Sequence, residues 1–479
     1  MNLHMIVFIL GRILLTVAAL LLLPLLVAFI YHETAGFAIG VTAALCFVIG
    51  FIAARRKPEN RVLYLRDGFT ITALSWIVIS IVGALPFIIS GDISNPVDAL
   101  FETVSGFTTT GASILSNVEA LPYSLLFWRS FTHWIGGMGV LVFLLSLLSL
   151  SGGSHVNLMR AESPGPQVEK LTPTVQSTAM TLYGIYIALT LIEIILLLAG
   201  GMPLFDAVTL SFGTAGTGGF GVKNDSIASY APYLQNVITV FMILFGINFN
   251  FYFLLLMRKF RRAFGIQEIR VYLGIILLST VVITVNIYGI YKDAVTAFQQ
   301  AAFQVGSIIT TTGYSTTDFD LWPEASKAIL AVLMFIGACA GSTGGGVKVS
   351  RCLILFKTMR KELKRLLHPQ SVKKIAMDGK SIAHEVVRST NVYMVAYILI
   401  FALSLLIVSF DNFDFTTNFT SVAATLNNIG PGLAAVGPAQ NFAGFSILSK
   451  FVLIFDMLAG RLELFPLLLL FTKENWQKF

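Results

Sequence analysis

Long apolar runs separated by short polar interruptions recur from one end of this chain to the other, and each is long enough to cross a bilayer as a helix. The first extends from Phe8 to Tyr31 and the second from Ala35 to Ala54. Both exceed the roughly 7–15-residue apolar core of a signal peptide, so retained spans are expected. Further candidates at 68–91, 124–150, 178–200, 233–257, 270–291, 326–357, 389–410 and 445–472 bring the expected total to ten. Composition argues against a set of soluble domains: 56% of the 479 residues are hydrophobic and 12% charged, against roughly 25% charged in soluble proteins. The 40 glycines and 39 phenylalanines suit a helical bundle in which helices approach closely and bulky side chains meet lipid. Cys46, Cys339 and Cys352 are too few, and too apolar in context, for a disulfide framework or a thiolate metal site.

The charges are unevenly placed. Arg55, Arg56, Lys57, Arg61 and Arg66 follow the second run, Arg258, Lys259, Arg261, Arg262 and Arg270 crowd a later linker, and ten Lys or Arg lie between Lys348 and Lys380. Such clusters mark the cytoplasmic face. The other face carries Asp92, Asp98, Glu102, Glu119, Asp206, Asp225, Asp293, Asp318, Asp320, Glu324, Asp411 and Asp414 against Lys223, Lys292, Lys327 and Lys450, a field that attracts cations. The basic linkers adjoin spans and lack interleaved aromatics, so the net charge of +7 reads as topology and no nucleic acid is expected as a partner. The long 348–380 linker is a candidate contact for a cytosolic partner or anionic membrane lipids.

Between alternate spans lie four segments too polar and short for ordinary spans: 95–118, 203–225, 295–318 and 415–438. A descent into the membrane and a return fits them if the returning chain is shielded by protein or lines a cavity. Each contains a similar turn: Thr109-Thr110-Gly111-Ala112-Ser113, Thr217-Gly218-Gly219-Phe220-Gly221, Thr311-Thr312-Gly313-Tyr314-Ser315 and Asn428-Ile429-Gly430-Pro431-Gly432. Thirteen residues before each third position stand Asp98, Asp206, Gln300 and Thr417, polar starts for short helices, with Asp98 and Asp206 as candidate N-caps. One glycine-threonine cluster alone makes only a tight turn; recurrence at matched offsets points to a shared site.

A dehydrated monovalent cation is held by a ring of backbone carbonyls, weakly enough to leave again. Glycine permits backbone shapes closed to other residues, and the threonines can add hydroxyls or brace the loops. Short helices ending near the ion would aim their negative dipole ends at it. Discontinuous helices also build transporter ion sites, so a sodium-coupled solute symporter remains an alternative, as does a noncatalytic membrane scaffold.

Other features sit beside these turns. Gly337 to Gly346 is too rich in glycine for a continuous helix and reads as a hinge or intramembrane gate, or as a compact bend. Lys348 can satisfy loop carbonyls, meet an acid, or snorkel. Arg461 lies in the last span and either forms an electrostatic barrier on the conduction path or pairs with Asp456 or Glu463. Arg129 and His133 either brace the neighbouring turn or pack, and Glu193 is an embedded acid expected to be paired or near a headgroup. No enzyme constellation emerges: His32, His133, His155, His368 and His384 do not cluster in sequence, and Gly344-Gly345-Gly346-Val347-Lys348 lacks the spacing of a nucleotide loop.

With Phe107-Thr108-Thr109-Thr110-Gly111-Ala112-Ser113, His133-Trp134-Ile135-Gly136-Gly137-Met138-Gly139, Asn427-Asn428-Ile429-Gly430-Pro431-Gly432-Leu433, Gly460-Arg461-Leu462-Glu463 and two extra N-terminal spans, the chain resembles the Trk/Ktr/HKT superfamily of potassium transporters over nearly its full length. Within that superfamily it is most similar to the membrane subunit of the bacterial Trk system. The fold expected is an all-α polytopic membrane protein with four pseudo-repeated helix–pore-loop–helix units around a central pore, plus two N-terminal helices. The expected division is 1–54 for the extra helices and 67–150, 175–257, 269–358 and 388–472 for the units. The resemblance implies gated uptake of potassium as the transported ion across the bacterial inner membrane by a homodimer with one path in each subunit. It implies no nucleotide bound by this chain, but a cytosolic nucleotide-binding regulatory subunit ring. Passive permeation and proton or sodium symport are both compatible with it. The filter glycines carry over to Gly111, Gly219, Gly313 and Gly430, so the candidate ion site comprises Thr109, Thr110, Gly111, Thr217, Gly218, Gly219, Thr311, Thr312, Gly313, Asn428, Ile429 and Gly430. None of those glycines is replaced by serine, a change that in related transporters favours sodium. The gate carries over to Gly341, Ser342, Thr343, Gly344, Gly345, Gly346 and Lys348, with Arg461 as the gating arginine.

Overall fold

Two glycines let the N-terminal apolar runs fold back on each other. A Cβ on Gly11 would lie 2.8 Å from that of Ala53, and one on Gly50 would lie 2.8 Å from the Gly11 carbonyl oxygen, so the Leu3–Ile30 and Ala35–Ala54 helices touch along their backbones. The structure, a computed structural model, describes residues 2–56, 58, 64–139, 175–370 and 374–477. Lys57, Arg61, His155 and the 140–150 part of an expected span lie outside the described residues. Between the two N-terminal helices, Glu33 accepts from the free amides of Tyr123 (2.6 Å) and Ser124 (2.9 Å), capping the Tyr123–Gly137 helix from a distance.

A long helix, a short helix, an extended turn and a returning helix then follow in order. The long helices are Leu65–Ser90, Val175–Ala199, Gln267–Tyr291 and His384–Val408, and the short ones are Pro96–Phe107, Leu204–Gly216, Ala294–Ile309 and Phe415–Leu426. Large apolar side chains such as Phe29, Phe37, Val285 and Leu399 face outward, as in a lipid-solvated bundle, and the buried interior mixes apolar side chains with many Thr, Ser and Asn.

Six described helices are long and apolar enough to cross a membrane, or seven if one bent pair is a single span. The expected 233–257 span is broken into Pro232–Phe245 and Phe249–Leu256, bent by 90°, with Asn248 capping the second piece through Asn250 N at 2.9 Å. The expected 326–357 span is two helices, Glu324–Ile336 and Val349–Leu367, separated by the glycine-rich loop. The expected 445–472 span breaks after Arg461, where Glu463 and Leu464 take φ of 57° and 68° and Pro466 opens a new turn.

The N-cap expectation needs correction. Asn95 caps the first short helix (2.9 Å to Val97 N), Asp293 the third (2.8 Å to Thr296 N) and Asp414 the fourth (3.0 Å to Thr417 N); Pro203 precedes the second with no side-chain cap. Asp98 and Asp206 instead lie within the first turn, where Asp98 pairs with Lys450 at 2.6 Å and Asp206 accepts from Tyr230 Oη at 2.8 Å. Gln300 lies well inside its helix, which starts about a turn earlier than its counterparts. Hydrogen bonds from Thr296 hold the Asp293 carboxyl below the usual carboxylate range, and those from Thr417 do the same for Asp414, so both caps stay anionic at neutral pH.

Candidate ion pathway

All four short helices end in the same way. Thr109, Thr217, Thr311 and Asn428 take φ of 56°, 55°, 59° and 54°, the left-handed conformation of a helix C-terminus. The next residue donates back into the helix: Thr110 N to Ser105 O (2.9 Å), Gly218 N to Gly213 O (2.8 Å), Thr312 N to Ser307 O (2.9 Å) and Ile429 N to Ala424 O (2.8 Å). This is a Schellman closure, with a Thr or Asn where glycine is usual. Gly111, Gly219, Gly313 and Gly430 then return to positive φ at 82°, 76°, 84° and 97°. Each turn thus sets two residues of positive φ on either side of one of ordinary φ, a backbone shape that neither helix nor strand contains.

The glycines form a closed order. A Cβ on Gly111 would strike the carbonyl oxygen of Gly218, one on Gly219 that of Thr312, and one on Gly313 that of Ile429; one on Gly430 would lie 2.7 Å from that of Thr110. Each turn thus abuts the carbonyl preceding the glycine of the next, and the fourth returns to the first. Only glycine fits both the space and the φ. The second turn is thereby registered on Gly219. Gly218 has a different neighbour, because a Cβ there would lie 2.6 Å from Cδ2 of the His133 ring.

A buried bracket holds this second turn. Arg129 Nε contacts Glu102 Oε1 at 2.6 Å, and its Nη1 donates to Gly221 O at 2.9 Å, with the guanidinium 3.5 Å from the Phe220 ring centre. Glu102 also accepts from Ser113 Oγ (3.0 Å) and Ile114 N (3.0 Å). His133 Nε2 accepts from Phe220 N at 3.3 Å, which assigns the ring proton to Nδ1, donating to Gly106 O at 2.7 Å. Between other turns the links are neutral: Tyr314 Oη donates to Leu210 O at 3.0 Å, and Asn428 Nδ2 to Thr110 Oγ1 at 2.9 Å.

The glycine-rich loop packs against the same turns. Gly345 N donates to Thr311 Oγ1 (2.5 Å) and Gly346 N to Asn427 O (3.0 Å), while a Cβ on Gly344 would lie 2.7 Å from Thr310 O. Lys348, buried, donates through Nζ to Gly344 O, so of its possible partners a loop carbonyl is the one engaged. Arg461 reaches the loop from the end of the returning Ile447–Arg461 helix, donating to Thr343 O (2.8 Å), Gly137 O (2.8 Å) and Gly136 O. Its expected acidic partners bond elsewhere: Glu463 pairs with Arg351, and Asp456 accepts from Ser404 Oγ at 2.7 Å.

The model of the TrkH family, described as cation transport protein, matches residues 34–478. The chain belongs to this family. It is 39% identical over 485 aligned residues to the Trk system potassium uptake protein TrkH of Salmonella typhimurium and 38% identical over 485 to that of Escherichia coli K12, with 100% of each chain covered. The crystal structure of the potassium transporter TrkH from Vibrio parahaemolyticus matches with a TM-score of 0.90 at 34% identity, again covering 100% of both chains. The protein is therefore a multi-pass transport protein of the bacterial inner membrane and not an enzyme.

In this TrkH-family chain the twelve candidate ion-site residues come together in one place, and the loop from Gly341 to Gly346 lies against them with Lys348 and Arg461 attached. Glu102, assigned by sequence to the acidic outer face, is instead fully buried against Arg129. Glu268 was not singled out. It accepts from Ala340 N (2.7 Å) and Ser350 N (3.0 Å), tying both ends of the loop to the Gln267–Tyr291 helix. The signal was present, since an acid at the start of an apolar span beside a basic linker needs a donor. Asn427 and Tyr314 stand out in the sequence only as members of their motifs; the folded chain reveals that Asn427 O accepts from Gly346 N of the loop and that Tyr314 reaches Leu210 O of the second short helix. Among the described residues neither carboxyl oxygen of the buried Glu193 has a hydrogen-bond partner, where a paired or headgroup-facing acid was expected.

Proposed function

We propose that this chain takes up potassium across the inner membrane through a filter formed by its four glycine turns, closed below by the Gly341–Gly346 loop. The observation that carries the reading is the closed order of Gly111, Gly219, Gly313 and Gly430, each against the carbonyl of the next turn. Four inward carbonyl sets replace the hydration shell of a monovalent cation with dipoles rather than a full charge, so the ion binds and leaves. The short helices end at this point, and their negative dipole ends add to the potential. The relatives named as potassium uptake proteins support potassium as the ion.

In this reading the units are 67–150, 175–257, 269–358 and 388–472, with 1–54 as a bracing pair. Arg461 and Lys348 hold the loop closed through its carbonyls, and Arg461 adds a positive barrier to cations. The chain works as a homodimer with one path in each subunit, and a cytosolic nucleotide-binding ring acts on the basic inner face. The relatives' designation as part of a Trk system supports a multi-subunit assembly. The test is rubidium uptake into proteoliposomes containing only this chain under a set membrane potential. Potential-driven uptake competed by potassium and poorly by sodium is expected. Flux that depends on an organic solute, or no flux in folded protein with and without the cytosolic ring, overturns the reading.

A further inference from the structure

Glu193 lies six residues before the end of the Val175–Ala199 helix, and its side chain is fully buried. Both carboxyl oxygens lack a hydrogen-bond partner among the described residues. The Val175–Ala199 helix packs along the second short helix, whose Thr214 is the hydroxyl that bears on the carboxyl. Thr214 belongs to the second short helix, three residues before Thr217 of the glycine turn. Its hydroxyl hydrogen is directed to Leu210 O at 3.0 Å, so its remaining lone pairs can be used only by a donor.

Among the described residues no cation pairs with Glu193. On the same helix Tyr186 donates to Trp134 O (3.0 Å), and from the third turn Tyr314 donates to Leu210 O (3.0 Å). From the helices packed alongside, Tyr233 donates to Leu196 O (3.4 Å) and Tyr252 to Leu244 O (2.7 Å). On the Tyr123–Gly137 helix, Arg129 is engaged by Glu102 and Gly221, and His133 by Gly106 and Phe220; Arg461 reaches the carbonyls of Thr343, Gly136 and Gly137. An ionised carboxylate held there would be desolvated, uncompensated and close to the negative end of the short helix.

We propose that Glu193 is a proton-binding site of the pore wall, kept as a neutral acid that donates to Thr214 and so positions the second short helix behind the filter. The inference rests on the reading of Leu204–Gly216 as a pore helix. Donation from the Glu193 O–H to a lone pair of the Thr214 hydroxyl gives the buried acid a partner without placing a charge in the wall. The proton fixes a wall element and is not carried with the transported ion.

The test uses the full chain in lipid near neutral pH. Infrared difference spectra between wild type and Glu193→Gln are expected to contain a protonated carboxylic C=O stretch that Glu193→Asp shifts. Glu193→Gln, which keeps a donor without charge, is expected to retain wild-type uptake and potassium-over-sodium preference. Glu193→Leu is expected to lower that preference. A carboxylate signature for Glu193, loss of uptake in folded Glu193→Gln, or an unaltered preference in Glu193→Leu overturns the proposal. Should Glu193→Gln not fold, the aspartate shift alone decides the protonation state. Wild-type flux tests the pore reading separately, because absent potassium-competed uptake leaves the infrared result unaffected.

Discussion

Gly219→Ser probes the filter most directly. At φ of 76° a side chain costs about 1–2 kcal/mol relative to glycine. Its Cβ would strike the Thr312 carbonyl oxygen, with the carbonyl carbons of Thr312 and Gly313 at 2.9 and 3.0 Å. Overpacking of this kind costs about 1–3 kcal/mol. The combined strain of roughly 2–5 kcal/mol is relieved only if the second turn retreats or the Thr312 carbonyl swings away. Either movement alters the oxygen cage. A difference of about 1.4 kcal/mol between potassium- and sodium-occupied states is a tenfold change, so less than the full strain lowers the potassium/sodium preference by at least about tenfold. Rubidium uptake in proteoliposomes, competed by potassium and by sodium, measures this. Gly274→Ser is the control, since nothing lies within 4 Å of a Cβ there and its φ is ordinary. A preference within about twofold of wild type in folded Gly219→Ser would refute the assignment of the ring as the selective element.

Three further outcomes are expected. Arg461→Ala frees the Thr343, Gly136 and Gly137 carbonyls and removes a positive charge from the loop, so basal rubidium leak should rise; unchanged or abolished leak in folded protein contradicts a barrier role. Arg129→Met strands Glu102 as an uncompensated buried charge and should cost about 3–5 kcal/mol in thermal unfolding, with much of it recovered in the Arg129→Met/Glu102→Gln pair; equal losses in both would exclude charge pairing as the cause. Gly50→Leu forces the two N-terminal helices apart and should lower Tm while sparing ion preference; a shifted preference would mean that this pair helps to shape the pore.

Much of the architecture is legible in the sequence because the bilayer imposes strong rules. Apolar length marks the spans, lysine and arginine mark the inner face, and glycine-threonine turns at matched offsets mark four equivalent departures from helix. Local chemistry also identifies the loop from Gly337 to Gly346 as nonhelical. The breaks after Phe245 and Arg461 were less legible: hydropathy continues through them, and only the backbone at Asn248, Glu463 and Leu464 records the turn. N-caps were misplaced because several polar residues compete near each helix start, and Asp98 and Asp206 found partners in Lys450 and Tyr230 instead.

The twelve turn residues and their order along the chain are set by sequence alone. Their closure into a ring, the choice of Gly219 over Gly218, the burial of Glu102 against Arg129 and the contact of Gly345 with Thr311 appear only in the folded molecule. Glu102 looks like any outer-face acid until folding places Arg129 beside it, and Arg461 has two acids nearby in sequence but meets carbonyls from distant segments. Span formation depends on hydropathy and backbone bonds within one segment, which sequence records directly. Pairing and selectivity depend on distances between segments hundreds of residues apart, and those distances are decided by how helices pack.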